Sequence, residues 1–371
     1  MKNSKVKSIH DFGQSIWLDF FDRKIMASGE LKRLVDEDAV TGVTSNPSIF
    51  EKAITGSADY DDDISVGAGT EKNNEKIFYN LAVKDIKRAA DIFKPVNEQT
   101  NGADGFVSLE VSPMLAYDTD GTIKQARELW NNVDRKNVMI KIPATKEGLP
   151  AIRKCISEAI NINITLLFGL PRYKEVVDAY LCGLEDRVKT GQPINHIASV
   201  ASFFLSRIDV LTDPLLEDRK LFNLKGEVAI ASAKEAYEIY KNIFGSTRFK
   251  NLQAKGANRQ RLLWASTSSK DPSYSNVKYV EALIGDETIN TIPMETLQAF
   301  NNHGNPGRTL GNYTDKARAV LAQLDARGID INIITQKLEE QGIVKFKKAY
   351  YSLLNAIDKK KHNQSVLKKS A

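Results

Sequence analysis

A lone lysine, Lys141, interrupts the apolar run NVMIKIP (137–143), flanked by Val138, Met139, Ile140, Ile142 and Pro143. An ammonium ion in such surroundings is costly unless it is paired or put to use. Two carboxylates sit in comparable runs: Asp19 late in SIWLDFF (15–21) and Glu110 near the end of GFVSLEV (105–111). Brought together, one amine and two carboxyls are what Schiff-base carbon–carbon bond chemistry requires. The neutral amine attacks a carbonyl, and the carboxyls move protons during carbinolamine loss and bond cleavage. Each residue also has a plainer reading. Lys141 could lay its stem along apolar surface and pair its head with Asp19 or Glu110, and the carboxylates could serve as caps or ion-pair partners.

The elements that would position these residues alternate along the chain. Eight short apolar runs read as strands: SIWLDFF, VTGV (40–43), GFVSLEV, NVMIKIP, INITLLFG (162–169), HIASVASFF (196–204), RLLWAS (261–266) and TINTIP (288–293). Between them, KIFYNLAVKDIKRAADIF, GTIKQARELWNNV, PRYKEVVDAYLCGLEDRV and EVAIASAKEAYEIYKNIF carry apolar residues at the three- and four-residue spacing of amphipathic helices. Near-continuously apolar strands separated by helices imply a parallel sheet covered on its outer face. Eight such units predict a closed (βα)8 TIM barrel, in a single domain over residues 1–371. A doubly wound sheet is the alternative, but no GxGxxG turn follows the first strand. Residues from about 305 to 360 read as two or three helices that form an extension packed on the barrel.

In such a barrel chemistry gathers at the C-terminal strand ends. Nearly every predicted strand supplies a polar residue there: Asp19, Asn46 just after VTGVTS, Glu110, Lys141, Asn163 and Thr165 in NINITLLF, Ser202 in SVASFF, and Ser266 closing LLWAS.

Composition removes several other classes. The 52 basic and 47 acidic residues leave a net charge of +5. It is mixed along the chain and partly carried by the tail KKKHNQSVLKKSA, expected from about 361 to 371 to be a mobile end, so nucleic acid is not expected as a partner. The N-terminus lacks a signal-peptide pattern, and no run approaches the roughly eighteen apolar residues of a membrane span. The two cysteines, Cys155 and Cys182, lie in apolar helical contexts and read as buried, reduced thiols, which predicts a cytoplasmic location. Four scattered histidines show no metal-ligand spacing, and NNHGNPGRTLGN lacks the GKS or GKT of a phosphate-binding loop, so no catalytic metal is expected.

At the residues singled out above, the chain resembles transaldolases. The likeness is carried by GVTSNPSIFEKAI (42–54), VMIKIPATKEG (138–148) and NINITLLFGLPRYKEVVDAYLCGLE (161–185), and it extends from about residue 12 to about 300 in the manner of the longer bacterial form. The resemblance implies an eight-stranded βα barrel with Lys141 on the fourth strand, attacking the carbonyl of a ketose phosphate such as fructose 6-phosphate or sedoheptulose 7-phosphate. It makes Asp19 the base for the C4 hydroxyl proton and Glu110 a proton relay through a water held by Thr165. Asn46 and Asn163 would hydrogen-bond the bound three-carbon unit. The acceptor would be erythrose 4-phosphate or glyceraldehyde 3-phosphate, in the non-oxidative pentose phosphate pathway, with no cofactor.

Arg207 matches the family's phosphate arginine, with an ion pair to Asp209 or Asp213 as the alternative, and Ser202 matches a substrate contact. In LLWASTSSKD the chain departs from the shorter transaldolases. They carry a serine followed closely by a second phosphate-binding arginine, whereas here Ser266 and Ser268 precede Lys270, a point charge without arginine's bidentate fork.

Two other functions fit the residues less well. Fructose-6-phosphate aldolases share the barrel and lysine, but carry glutamine where Glu110 stands and tyrosine where Phe204 stands. A silent barrel that only binds sugar phosphates has no need of Lys141, Asp19 and Glu110 together. The expected partners are small sugar phosphates, with monomer and homodimer both open.

Overall fold

Eight parallel strands hydrogen-bond in chain order, and the eighth closes onto the first, in a computed structural model that describes residues 4–370, those of residues 70 and 363–370 in backbone only. They are β1 (Gln14–Leu18), β2 (Val40–Val43), β3 (Phe106–Glu110), β4 (Val138–Pro143), β5 (Ile162–Leu167), β6 (Ser199–Phe204), β7 (Arg261–Ala265) and β8 (Thr288–Ile292). Seven fall within the apolar runs, and β1 overlaps its run but begins one residue earlier, at Gln14. The four amphipathic stretches form the helices Asn74–Gln99, Thr119–Val133, Leu170–Lys189 and Val228–Phe244. The fold is an α/β TIM barrel.

Side chains alternate across each strand, and the barrel uses the two faces differently. Outward residues join the helices in one large apolar layer. Inward residues form a separate cluster of Trp17, Phe106, Met139, Ala198, Val200, Leu263, Ala265 and Ile289, which lies toward the N-terminal strand ends except for Ala265, the last residue of β7. Its largest member, Trp17, is fully buried, and its indole Nε1 donates to Asp104 Oδ1 at 2.6 Å. Farther along the same inward rows the side chains turn polar: Asp19, Ser108 and Glu110, Lys141, Asn163 and Thr165, Ser202, and Thr291. The floor is therefore a packed apolar plug, and the polar residues end at the opposite, C-terminal face.

Gly42 makes room for the plug. A Cβ there would lie 2.6 Å from the Trp17 ring, closer than van der Waals contact allows.

Beyond β8 come the helices Met294–His303, Thr314–Ala326 and Ile331–Ser370. The last buries Leu338, Ile343, Tyr350, Leu353 and Ile357, a stripe at helical spacing. Tyr350 donates to Glu75 at 2.6 Å and meets Phe78 edge-on, and Arg172 pairs with Glu339 at 3.3 Å. From residue 363 on, the expected mobile tail lies outside the described side chains. Both cysteines are free, but only Cys155 is buried. Cys182 sits on the outer side of its helix, where its Sγ accepts from Arg248 at 3.3 Å, so the expectation of two buried thiols is corrected at that position. Among the described residues no helix is long and apolar enough to cross a membrane.

Gly42→Ala should therefore destabilise the barrel by about 1–3 kcal/mol, the usual cost of overpacking. Chemical denaturation checks this, and an unchanged midpoint would mean that the Trp17 ring can move aside.

Candidate active site

Lys141 occupies an inward position of β4, in register with Glu110 on β3 and Asn163 on β5. The residue is only 5% exposed, so its ammonium depends on protein groups rather than bulk water. Its Nζ donates to the Ser45 backbone carbonyl at 3.0 Å and lies 3.7 Å from Glu110 Oε2, an ion pair too long for a good hydrogen bond. Ser45 is fixed in turn, its hydroxyl donating to the Ser108 carbonyl at 2.7 Å. The next residue, Asn46, is the N-cap of the helix Pro47–Gly56, its side chain accepting from the Ile49 N–H at 3.0 Å.

Above Lys141 opens a cavity of about 460 Å³ at the C-terminal ends of the strands. Asp19, Asn46, Lys141, Thr165, Ser202, Phe204, Arg207, Ser266 and Lys270 all line it. Glu110 and Asn163, the other two residues singled out in the sequence, do not. Glu110 approaches Lys141 from the side facing Tyr79 and Tyr350. Asn163 is completely buried beneath Thr165, where its amide donates to Ser108 Oγ at 3.0 Å and its carbonyl accepts from Ser202 at 2.6 Å. In this structure Asn163 therefore orients Ser202 from below.

The carboxyls are shifted by their surroundings. Burial pushes Glu110 up to about 7, with the Lys141 charge opposing the shift and the Asp19 charge adding to it. Asp19 is also raised, chiefly by burial, against the Lys141 charge and a hydrogen bond from Thr44, whose Oγ1 donates at 2.8 Å. Thr44 Oγ1 lies 2.7 Å from Thr291 Oγ1, so two hydroxyls from β8 and the end of β2 hold the Asp19 carboxyl in place. Thr165 Oγ1 and Glu110 Oε2 are buried without a hydrogen-bond partner among the described residues. A proton acceptor near neutrality, a second carboxyl and a free hydroxyl thus surround one amine, the set needed for proton movement at a carbonyl carbon.

Two strand ends depart from regular geometry to build the mouth. Leu166 has φ +56° at a register shift between β5 and β6, so both Thr165 and Leu166 face the cavity. Ser266, just past β7, has φ +55°, and its hydroxyl lies 3.0 Å from Ser206 Oγ. Phe204 packs against Phe168 with ring centroids 5.2 Å apart.

Arg207 forms no ion pair among the described residues. Its sequence-level alternatives are engaged elsewhere: Asp209 accepts from Tyr279 at 2.8 Å and from the Ala229 N–H at 2.8 Å, and Asp213 accepts from Tyr274 at 2.7 Å and from the Gly226 N–H at 2.9 Å. Lys270 Nζ donates to Ser268 Oγ at 2.5 Å. Both cations have pKa values lowered first by burial, and the Arg207 charge lowers Lys270 further.

The cavity also takes in residues that the sequence did not single out: Thr44, Lys52, Phe168, Thr291, Glu295, Lys345 and Phe346. Thr44 and Thr291 were findable by the strand-end rule that selected the others. Lys345 and Phe346 belong to the helix Ile331–Ser370, and nothing in their local sequence points to the mouth. The Ser45 carbonyl, being backbone, has no side-chain signature at all. No group of three or more His, Cys, Asp or Glu side chains among the described residues is placed to hold a metal ion.

Comparison with known proteins gives the family. The family model described as transaldolase/fructose-6-phosphate aldolase matches residues 16–357, and the chain belongs to that family. A transaldolase of Trichodesmium erythraeum is 46% identical over 373 residues, covering 97% of this chain and 98% of the relative. One from Saccharopolyspora erythraea is 45% identical, covering 96% and 97%, and one from Neisseria gonorrhoeae is 44% identical, covering 95% and 98%. Within the family, the chain is a transaldolase enzyme, a transferase.

The raised Glu110 pKa has a measurable consequence. The folded protein holds this proton more tightly than the unfolded chain, so between about 4.5 and about 7 the folded state carries the extra proton and stability falls as pH rises. Glu110→Gln should flatten that part of the stability profile and stabilise the protein at pH values above about 7. Thermal unfolding of both proteins across the range checks this, and parallel profiles would contradict the burial of an ionisable carboxyl.

Proposed function

We propose that the enzyme transfers a dihydroxyacetone unit from a ketose phosphate, sedoheptulose 7-phosphate or fructose 6-phosphate, to an aldose phosphate, glyceraldehyde 3-phosphate or erythrose 4-phosphate, through a Schiff base on Lys141. The observation that carries this reading is the Lys141 Nζ itself, enclosed at the base of the mouth, 3.7 Å from the Glu110 carboxyl and open to the cavity that Asp19 lines.

The amine attacks the ketose C2 carbonyl and forms a carbinolamine. Glu110, with a pKa of about 7, is divided between acid and base near neutrality. It can protonate the departing hydroxyl as water and later activate water for imine hydrolysis, aided by the Thr165 hydroxyl, which has no hydrogen-bond partner among the described residues. With the protonated imine in place, Asp19 takes the C4 hydroxyl proton as the C3–C4 bond breaks. The bonding electrons pass to C3 and into the imine, and the first aldose phosphate leaves. The same carbon then adds to the acceptor aldehyde, Asp19 returns its proton to the new C4 oxygen, and hydrolysis of the imine frees the ketose and the lysine.

Asn46 and Ser202, with Asn163 behind it, offer polar groups to the three-carbon unit, and Phe204 offers an apolar wall. Arg207, Ser266 and Lys270 offer donors to the phosphate. The chemistry would place the enzyme in the non-oxidative pentose phosphate pathway. Its free thiols fit a cytoplasmic setting.

Incubation with fructose 6-phosphate and borohydride, followed by peptide mapping, should give a reduced dihydroxyacetone adduct on Lys141. Lys141→Ala should lose the adduct and transfer activity while keeping the wild-type circular dichroism spectrum. An adduct elsewhere, or none on a folded wild type that binds the sugar, would refute the assignment. Asp19→Asn should still form the imine, but transfer should slow by about 10²–10⁴-fold, the usual weight of a positioned proton acceptor.

A further inference from the structure

Four cations line the rim of the cavity, each from a different part of the chain: Lys52 from the helix after β2, Arg207 from the helix after β6, Lys270 from the loop after β7, and Lys345 from the helix Ile331–Ser370. None of the four forms an ion pair with a carboxylate among the described residues. Arg207 is the electrostatic centre of the group, since its charge bears on both Lys270 and Lys345 and disfavours each of those ammonium ions. Asp19 and Glu295 offset part of this charge at Lys270, but four cations in one cavity still repel one another, and an anion seated among them relieves the repulsion.

Lys345 does not reach this rim through a mobile arm. Gly342, one helical turn before it, lies against Leu166, where an added Cβ would be 3.0 Å from a Leu166 methyl. Phe346 lines the cavity beside it, Ile343 is buried, and Glu339 is paired with Arg172 at 3.3 Å. The helix face that carries residues 342, 345 and 346 is thus held against the mouth by packing on both sides.

We infer that Lys345 is a third phosphate-binding cation, completing with Arg207 and Lys270 a subsite in which two lysines stand where a second arginine would otherwise serve, so that the C-terminal helix sets selectivity for phosphorylated sugars. The inference rests on the sugar-phosphate reading above. A phosphate monoester carries a charge of about −1.5 to −2 near pH 7 and three acceptor oxygens. Arg207 can meet two oxygens with its planar fork, and each lysine adds one movable donor as a point charge. The two lysines, one from the loop after β7 and one from the helix Ile331–Ser370, supply at least the charge of an arginine and part of its geometry.

The test compares the full-length wild type with the K345Q and K345R variants. In a reaction that passes through a covalent intermediate, kcat/KM for the acceptor reports only the second half-reaction, whatever the donor. The ratio of kcat/KM for glyceraldehyde 3-phosphate to that for unphosphorylated glyceraldehyde should fall about tenfold in K345Q and recover in K345R, the loss of one charge-assisted bond at a partly solvated site. A ratio within about twofold of wild type, including the case where both acceptors suffer equally, would overturn the proposal and make Lys345 an ordinary solvated residue. Titration of inorganic phosphate onto wild type and K345Q reads the same subsite without turnover. Weaker binding to the variant is expected, and equal binding would overturn the proposal. A wild type that binds phosphate but forms no borohydride adduct would fail the Schiff-base reading alone.

Discussion

The Lys141 amine has to be enclosed and still remain usable, and the upper half of the barrel is arranged around that constraint. A nearly buried ammonium cannot rely on solvent, so the Ser45 carbonyl and the Glu110 carboxyl take solvent's place. The Ser45 carbonyl can face inward because the chain leaves β2 in an extended turn and enters the helix Pro47–Gly56 with Asn46 capping it and a proline at its first position. One cation then stands against two carboxyls in the same enclosure. Burial outweighs the lysine's attraction for both Glu110 and Asp19, so the group as a whole resists carrying two negative charges.

That enclosure depends on a division along the barrel axis. The inward rows are apolar as far as Trp17, Met139 and Leu263 and mostly polar beyond them, which gives the mouth an apolar floor. Two residues in left-handed backbone conformation, Leu166 and Ser266, lie just above this floor. Such a conformation costs a residue with a Cβ about 1–2 kcal/mol. At Leu166 it breaks the strict alternation of β5 and turns two successive side chains toward the cavity. At Ser266 it brings the serine hydroxyl to Ser206, at the start of the helix that carries Arg207.

The helix Ile331–Ser370 supplies the last wall. Its anchorage lies on the helices Pro47–Gly56 and Asn74–Gln99 and on Arg172, and its Gly342, Lys345 and Phe346 reach the cavity. The mouth is therefore shaped by parts of the chain as far apart as Asp19 and Phe346.

The sequence alone determined the eight strands, the barrel and most of the polar positions at the strand ends, because each is written in a local pattern. A strand buried on both faces is a short apolar run, and a charged residue inside such a run, as at Lys141, is visible without knowing what surrounds it. The transaldolase resemblance was carried by contiguous motifs for the same reason. Tertiary structure decided everything that depends on which groups meet: that Glu110 and Asn163 stand behind and beneath the cavity, that the Ser45 carbonyl receives the lysine's hydrogen bond, that Asp209 and Asp213 are engaged by tyrosines and backbone N–H groups and leave Arg207 without an ion pair among the described residues, and that Lys345 comes to the rim. Periodicity reports the face on which a side chain lies, whereas hydrogen bonds, charge shifts and cavity walls depend on distances between elements remote in sequence, and those are set only when the barrel closes.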